Sequence, residues 1–201
     1  LKEKDKFPIS DDLVVFSRED REEFVQNYAK KYEYSDVFVL SKESGLVLYS
    51  QAKRADYGTN LKFGEYKNTG LAKVWKKTIE NKKTTIVDMK PYGPSSGAPM
   101  MFLGTPIIKN ERFIAVLVFQ ISDKPINAIS KFRKGFGKTE EVYLVGSDKL
   151  LRSDSFLYPK KYTIVNSFKN PDLASIDTKP VREALKSSRQ ARVFPSVALM
   201  V

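Results

Sequence analysis

The chain contains neither cysteine nor histidine. Their absence excludes Ser-His-Asp and Cys-His catalysis, together with the usual ligand sets for zinc and haem. It also excludes disulfides, which fits the cytosol and equally a bacterial periplasmic domain that uses none. Long apolar runs are missing: the longest, residues 113–119, is seven residues, against roughly 20 needed to cross a bilayer. No signal peptide is visible. The chain opens at Leu1 and stops inside the apolar stretch 197–201, so it reads as a fragment of a longer protein. Gly93, Gly97 and Gly104 are not followed by Gly-Lys-Ser/Thr, and no phosphate loop is expected.

What is present describes a folded, basic protein. Hydrophobic residues make up 41% of 201, with 13 Phe and 10 Tyr, enough to exclude wholesale disorder. Lys and Arg number 35 against 24 Asp and Glu, a net charge of +11. The basic residues are scattered as pairs (Lys30-Lys31, Lys76-Lys77, Lys82-Lys83, Lys160-Lys161), with no long basic run and no RRM, KH, zinc-finger or helix-turn-helix signature. Nucleic acid is therefore not expected as a partner; a positive surface beside an anionic membrane accounts for the charge.

A loose repeat organises the chain. VFVLSKESGLVLYS at 37–50 returns as VYLVGSDKLLRSDS at 142–155, 105 positions later. Each copy is strand, polar turn, strand, followed after a polar loop by a helix-like run, at 70–83 and at 180–188. That spacing exceeds a solenoid repeat and matches a small α+β domain. Ser17 and Asp20 resemble a capping box, and Phe24, Val25, Tyr28, Ala29 and Tyr32 at helical spacing predict an amphipathic helix over 17–32. Strands are predicted at 36–41 and 46–50 (a hairpin through Gly45), then a polar loop over 51–69 and a helix over 70–80. Further strands follow at 84–90, 100–109 and 112–121, the last apolar on both faces and hence central. The order gives a five-stranded antiparallel sheet with helices on one side, the layout of a PAS-like domain. Asp123 caps a connector helix reaching 134, which Gly135 ends. A second, truncated module begins at Glu141, with a long loop over 158–178 and sheet material of unassigned register within 189–201.

Acid–base catalysis needs paired carboxylates in a cleft. Asp56 and Asp88 are candidates, but with no nucleophile or metal cluster beside them they read as hydrogen-bonding groups, and the chain is not expected to be an enzyme. A binding pocket is easier to assemble between sheet, helix and loop. The loop supplies Asp56, Tyr57, Thr59 and Tyr66, the strand end Asp88 and Tyr92, the Pro/Gly/Ser loop Ser95, and the next strand Phe102. Trp75 on the helix borders this cluster, though core packing is the plainer role for it. Several tyrosines beside a carboxylate suit a small polar metabolite. No cofactor or metal is expected.

The segments DVFVLSKESGLVLYS (36–50), DYGTNL (56–61), YKNTGLAKVW (66–75), VDMKPYGPSSGAPMMFLGTPI (87–107) and GFGKTEEVYLVGSDKLLRSDS (135–155) come in an order that resembles the extracytoplasmic double Cache sensor region of bacterial methyl-accepting chemotaxis proteins. The resemblance covers about 34–188. It implies an N-terminal helix (1–33), a membrane-distal Cache module (34–122) holding a small-molecule ligand, a connector helix (123–134) and a partial membrane-proximal module (135–201). It further implies a homodimer through the N-terminal helix, and anchoring in the inner membrane with this portion in the periplasm. The same module on a histidine kinase or diguanylate cyclase, or one contacting a periplasmic binding protein, is the alternative. The chain departs from the Arg-Trp-Tyr…Asp pattern of amino-acid-sensing members: no Trp follows Arg54.

Overall fold

The computed structural model describes residues 19–130, 137–138, 140–186 and 198–200. Helix α1 (Glu19–Lys31) leads into strand β1 (Tyr34–Ser41), and Glu33 at φ 56 turns the chain between them. The expected cap at Ser17 and the connector beyond 130 lie outside the described residues. β1 returns through β2 (Val47–Ser50), a polar loop follows, and α2 (Gly70–Asn81) crosses to β3 (Thr85–Pro91), β4 (Pro99–Lys109) and β5 (Arg112–Ile121). Thr69 caps α2 by accepting a hydrogen bond from the Ala72 N–H, and Lys82 closes it in the left-handed conformation. The strand order is β2-β1-β5-β4-β3, antiparallel throughout. β5 is the central strand that its two apolar faces predict, and helix α3 (Asp123–Ser130) follows it.

Register fixes which side chains share a face. Phe38 pairs with Val118, Leu40 with Val116, and Asp36 with Gln120, which in turn pairs with Phe102. This face carries the first core, where Phe38, Leu40, Val116, Val118 and Phe102 pack with Leu71, Val74 and Trp75 of α2. The opposite face carries Val37, Phe119 and Leu103. There α1 packs, with the Tyr28 ring 5.9 Å from Phe119 and Tyr34 4.7 Å from the same ring. The sheet is thus covered on both faces, not on one as the element order alone suggests. A strand apolar on both sides requires that second cover, and the Tyr28/Ala29 stripe of α1 provides it.

The second unit departs further from expectation. The hairpin predicted over 142–155 is reduced to β6 (Tyr143–Val145) and a single bridge from Val145 to Leu151. Two backbone bonds, from the Arg152 N–H to the Leu144 carbonyl at 2.7 Å and from the Gly146 N–H to the Leu150 carbonyl at 2.9 Å, still join its arms. Side chains supplement them: Ser153 Oγ accepts from the Leu144 N–H at 2.8 Å, and Ser167 Oγ from the Leu151 N–H at 2.9 Å. The 158–178 loop contains two short helices, α4 (Ile164–Lys169), capped by Thr163, and α5 (Pro171–Ala174). α6 (Lys179–Lys186) follows, and β7 (Ala198–Met200) pairs parallel with β6 in the region where sheet material was expected. This unit has its own core of Val145, Leu151, Ile164, Ile176 and Val181, to which β3 of the first sheet contributes Met89.

Trp75 ties α2 to the first hairpin. Its indole N–H donates to the Ser41 carbonyl at 2.9 Å, and its ring lies where a Cβ on Gly45 would approach to 2.9 Å. Gly45 also holds φ +71, so any side chain there meets both backbone strain and the ring. Gly45→Ala should cost about 2 kcal/mol. Urea unfolding monitored by the fluorescence of Trp75, the sole tryptophan, reads it; a midpoint equal to wild type would rule out the close contact.

Candidate functional site

At one end of the α2-facing surface the sheet becomes polar while staying buried. Asp36 and Gln120 are both fully inaccessible. The Asp36 carboxylate accepts from the Val37 N–H (2.7 Å), the Ser50 hydroxyl (2.9 Å) and the Ala52 N–H (3.0 Å), with the Arg54 guanidinium 3.7 Å away. Burial pushes this carboxyl above its ordinary range, against the pull of those donors. Arg54 also donates to Gln120 Oε1 at 3.2 Å, and Gln120 Nε2 donates to Ser95 Oγ at 2.7 Å. A continuous polar string therefore runs from β2 to the Pro/Gly/Ser loop.

Beside it lies a second carboxylate. Asp56 is fully buried, and one of its oxygens accepts from the Tyr92 hydroxyl at 2.5 Å. Its other oxygen, Oδ1, is buried with no hydrogen-bond partner. Burial first, and then the bond to Asp56 and its charge, push the Tyr92 phenol far above its usual range, so the hydroxyl stays protonated and donating. The Tyr92 ring stands edge-on to Phe102, with centroids 5.0 Å apart. Thr59 donates through its hydroxyl to the Asp56 carbonyl at 2.7 Å and so shapes the turn that carries Asp56.

Of the nine residues singled out from sequence, the structure brings Asp56, Tyr92, Phe102 and Ser95 together, with Tyr66 packed on the same core and Thr59 supporting the turn. Three stand elsewhere. Tyr57 points outward, Trp75 belongs to the core behind the first hairpin, and Asp88 faces the second unit. Sequence reasoning missed Asp36, Ser50, Arg54 and Gln120. The signal was there for two of them: a charge opening an apolar strand at Asp36, and an amide closing one at Gln120.

Asp88 instead forms a clamp between the units. The buried Arg152 guanidinium donates to both its oxygens, at 2.8 and 2.6 Å, to Asp148 at 2.9 and 3.0 Å, and to the Leu150 carbonyl at 3.0 Å. Its plane lies 5.0 Å from the Phe168 centroid, and Gly146 leaves room that a Cβ would fill, 2.2 Å from Nη2. Lys90 completes the group at 2.7 Å from Asp148. Burial works to raise the Asp148 carboxyl, but hydrogen bonds from Arg152 and Lys90 outweigh it and hold it at about 2. Between the Pro/Gly/Ser loop and α4 lies a groove of about 320 Å³, walled by Pro91, Ala98, Pro99, Val165 and Phe168. Among the described residues, no group of three or more acidic, His or Cys side chains is arranged to hold a metal, and no helix is long and apolar enough to cross a membrane.

The fold has counterparts among solved structures. The sensory domain of the Campylobacter jejuni chemoreceptor Tlp3 (CcmL) with isoleucine bound matches over 92% of this chain and 66% of its own, at 13% identity and a TM-score of 0.51. The same domain in a second structure matches over 94% and 68%, with equal identity and score. The fold is Cache-like. The sensor domain of the V. cholerae histidine kinase DctB is a looser match, at 12% identity and a TM-score of 0.47 over 94% of this chain and 66% of its own. The chain thus spans about two thirds of the length of these sensory domains. No protein-family model matches it, and no curated protein matches its sequence.

Two outcomes are expected. Tyr92→Phe keeps the ring but strips Asp56 of its hydroxyl donor, and should cost about 2 kcal/mol in denaturant unfolding; an unchanged midpoint would show the bond to be dispensable. Asp148 is depressed below its ordinary 3.8, so its contribution is present above that value and is lost as pH falls through about 2. Wild type should therefore lose thermal stability more steeply than Asp148→Asn between about pH 4 and about pH 2. Parallel melting curves for the two would argue against the clamp.

Proposed function

We propose that the chain is the ligand-binding part of an extracytoplasmic bacterial sensor, of the kind found in chemoreceptors, and that it takes a small polar metabolite at the Asp56–Tyr92 cluster of its first unit. The observation that carries this reading is the buried Asp56 oxygen without a partner. A buried carboxylate oxygen costs free energy unless a donor reaches it, and an N–H or ammonium group of a ligand is the donor it lacks. Tyr92, Tyr66 and Phe102 belong to the core beside it, and Gln120 links Arg54 to Ser95 on the loop above. Arg54, between Asp36 and Gln120, stands ready for a carboxylate or other acceptor on the same ligand.

In this reading residues 34–122 form the membrane-distal module and 135–201 the proximal one, matching the two cores on either side of β3. Both Asp56 and Tyr92 are closed off from water, so a ligand enters by displacement of the 91–99 loop. The groove between that loop and α4 gives it space to move. The bound solute biases the receptor only by its difference in affinity between the loop's two positions. Dimerisation through α1, whose Phe24 and Tyr32 remain exposed, and membrane anchoring belong to the same proposal. A histidine kinase output fits this ectodomain equally, because residues 19–186 carry the sensing side alone.

A thermal-shift screen of amine-bearing metabolites tests the reading, followed by calorimetry on the hits. Asp56→Asn should weaken binding by roughly 30-fold, the worth of a charge-assisted hydrogen bond. A ligand that binds the variant as tightly as wild type would displace the site from Asp56.

A further inference from the structure

The second unit carries an open cavity of about 400 Å³ that neither the first-unit cluster nor the clamp uses. That volume lies within the range of small-molecule sites. Leu151 and Ile176 from the second core line it, and Tyr143, Tyr158 and Tyr162 form its walls. Tyr158 and Tyr162 stand edge to face, 5.9 Å between centroids. Tyr158 stays 59% exposed, a large ring held at the mouth where a ligand meets it first.

The electrostatics of this cavity are one-sided. Glu141 on its wall accepts from the Ser155 hydroxyl (2.8 and 3.0 Å) and from the Phe156 and Leu157 N–H groups (2.8 and 3.0 Å). These donors fix the carboxylate in place without neutralising it, and among the described residues no Lys or Arg forms an ion pair with it. The other lining carboxylate, Asp177, differs: Lys149 at 3.0 Å and Arg182 at 3.1 Å already balance it. Among the described residues, no lysine or arginine lines the cavity itself. Burial, followed by the charge of Glu141, raises the Tyr143 phenol, so its hydroxyl stays neutral beside that carboxylate. The Tyr162 ring already attracts an ammonium, that of Lys161 at 4.7 Å. Aromatic faces beside an unneutralised carboxylate are the chemistry that selects organic cations.

We propose that this cavity is a second ligand site, for a small organic ammonium ion that seats against the Tyr143 and Tyr158 rings with Glu141 as its counter-ion. The site is independent of the first-unit reading: a quaternary ammonium has no N–H to offer Asp56. Its occupancy acts next to the clamp, because Leu151 on its lining precedes Arg152.

Titration calorimetry of the 201-residue chain with choline tests the proposal. Choline should bind wild type, and bind more tightly than glycine betaine, whose carboxylate would be repelled by that of Glu141. Tyr158→Ala and Glu141→Gln should each weaken choline by about tenfold or more, while Asp56→Asn stays within about twofold. Should Glu141→Gln disturb the turn at 156–157, Tyr158→Ala and the betaine comparison decide alone, since Tyr158 is mostly exposed. Absence of binding at about 10 mM choline overturns the second site. So does binding that Asp56→Asn abolishes and Tyr158→Ala leaves intact, which would assign the cation to the first unit. A chain that binds choline as expected but no metabolite at Asp56 removes the first-unit proposal and leaves this one standing.

Discussion

A carboxylate without access to water must find donors, and Asp36 sits on the buried face of an apolar sheet where the strands offer few. It finds them at the end of β2 and just beyond it: the Ser50 hydroxyl, the Ala52 N–H and the Arg54 guanidinium. Leaving such a group unpaired costs several kcal/mol, about as much as a small module's whole stability margin. The chain after β2 is therefore drawn back over the sheet end and does not run free as a surface loop. That path delivers Asp56 to Tyr92 and Arg54 to Gln120. The cluster that carries the proposed ligand site is a consequence of satisfying one charge on β1.

The strands and α2 were legible because they rest on local patterning. β5 was expected at 112–121 and spans those residues, since an uninterrupted apolar run between an Asn-Glu turn and Ser122-Asp123 has one plausible reading. α2 was readable from Leu71, Val74, Trp75 and Ile79, with Thr69 and Lys82 setting its ends. The covering of both sheet faces was implicit in that same apolar run, yet the element order hid it, because nothing local to 19–31 says on which face a helix lies. The short helices at 164–169 and 171–174 escaped for a different reason. Six and four residues complete too few turns for a period to show, and Pro159 and Pro171 mark the segment as a loop.

The candidate site divides along the same line. Asp56, Tyr92, Ser95 and Phe102 were legible as a group because tyrosines and a carboxylate near loops and strand ends stand out. Asp36 and Gln120 were not, since a polar residue at a strand terminus ordinarily faces solvent, and only register shows that both point into the core. Arg152 was the least legible. In sequence it is one basic residue in a turn-rich stretch among many scattered ones; its burial depends on Asp88, 64 positions earlier.

β3 joins these observations. Val87 and Tyr92 face the first core, Met89 enters the second, and Asp88 and Lys90 between them hold Arg152 and Asp148. A register shift between Val87 and Lys90 breaks the alternation of the strand, so that Val87 serves the first unit while Asp88, Met89 and Lys90 serve the second. The residue that donates to Asp56 lies two positions beyond Lys90, just past the strand's end. A paired strand moves as a rigid element and passes a displacement along its length without absorbing it. If a ligand at Asp56 draws the 91–99 loop inward, β3 is the element that must follow, and the buried Arg152 must either follow with it or lose a bidentate partner. A buried guanidinium stripped of one partner is costly by several kcal/mol, so the second unit follows the strand. The same charge that makes the clamp expensive to build makes it a stiff connection between the first unit and the second.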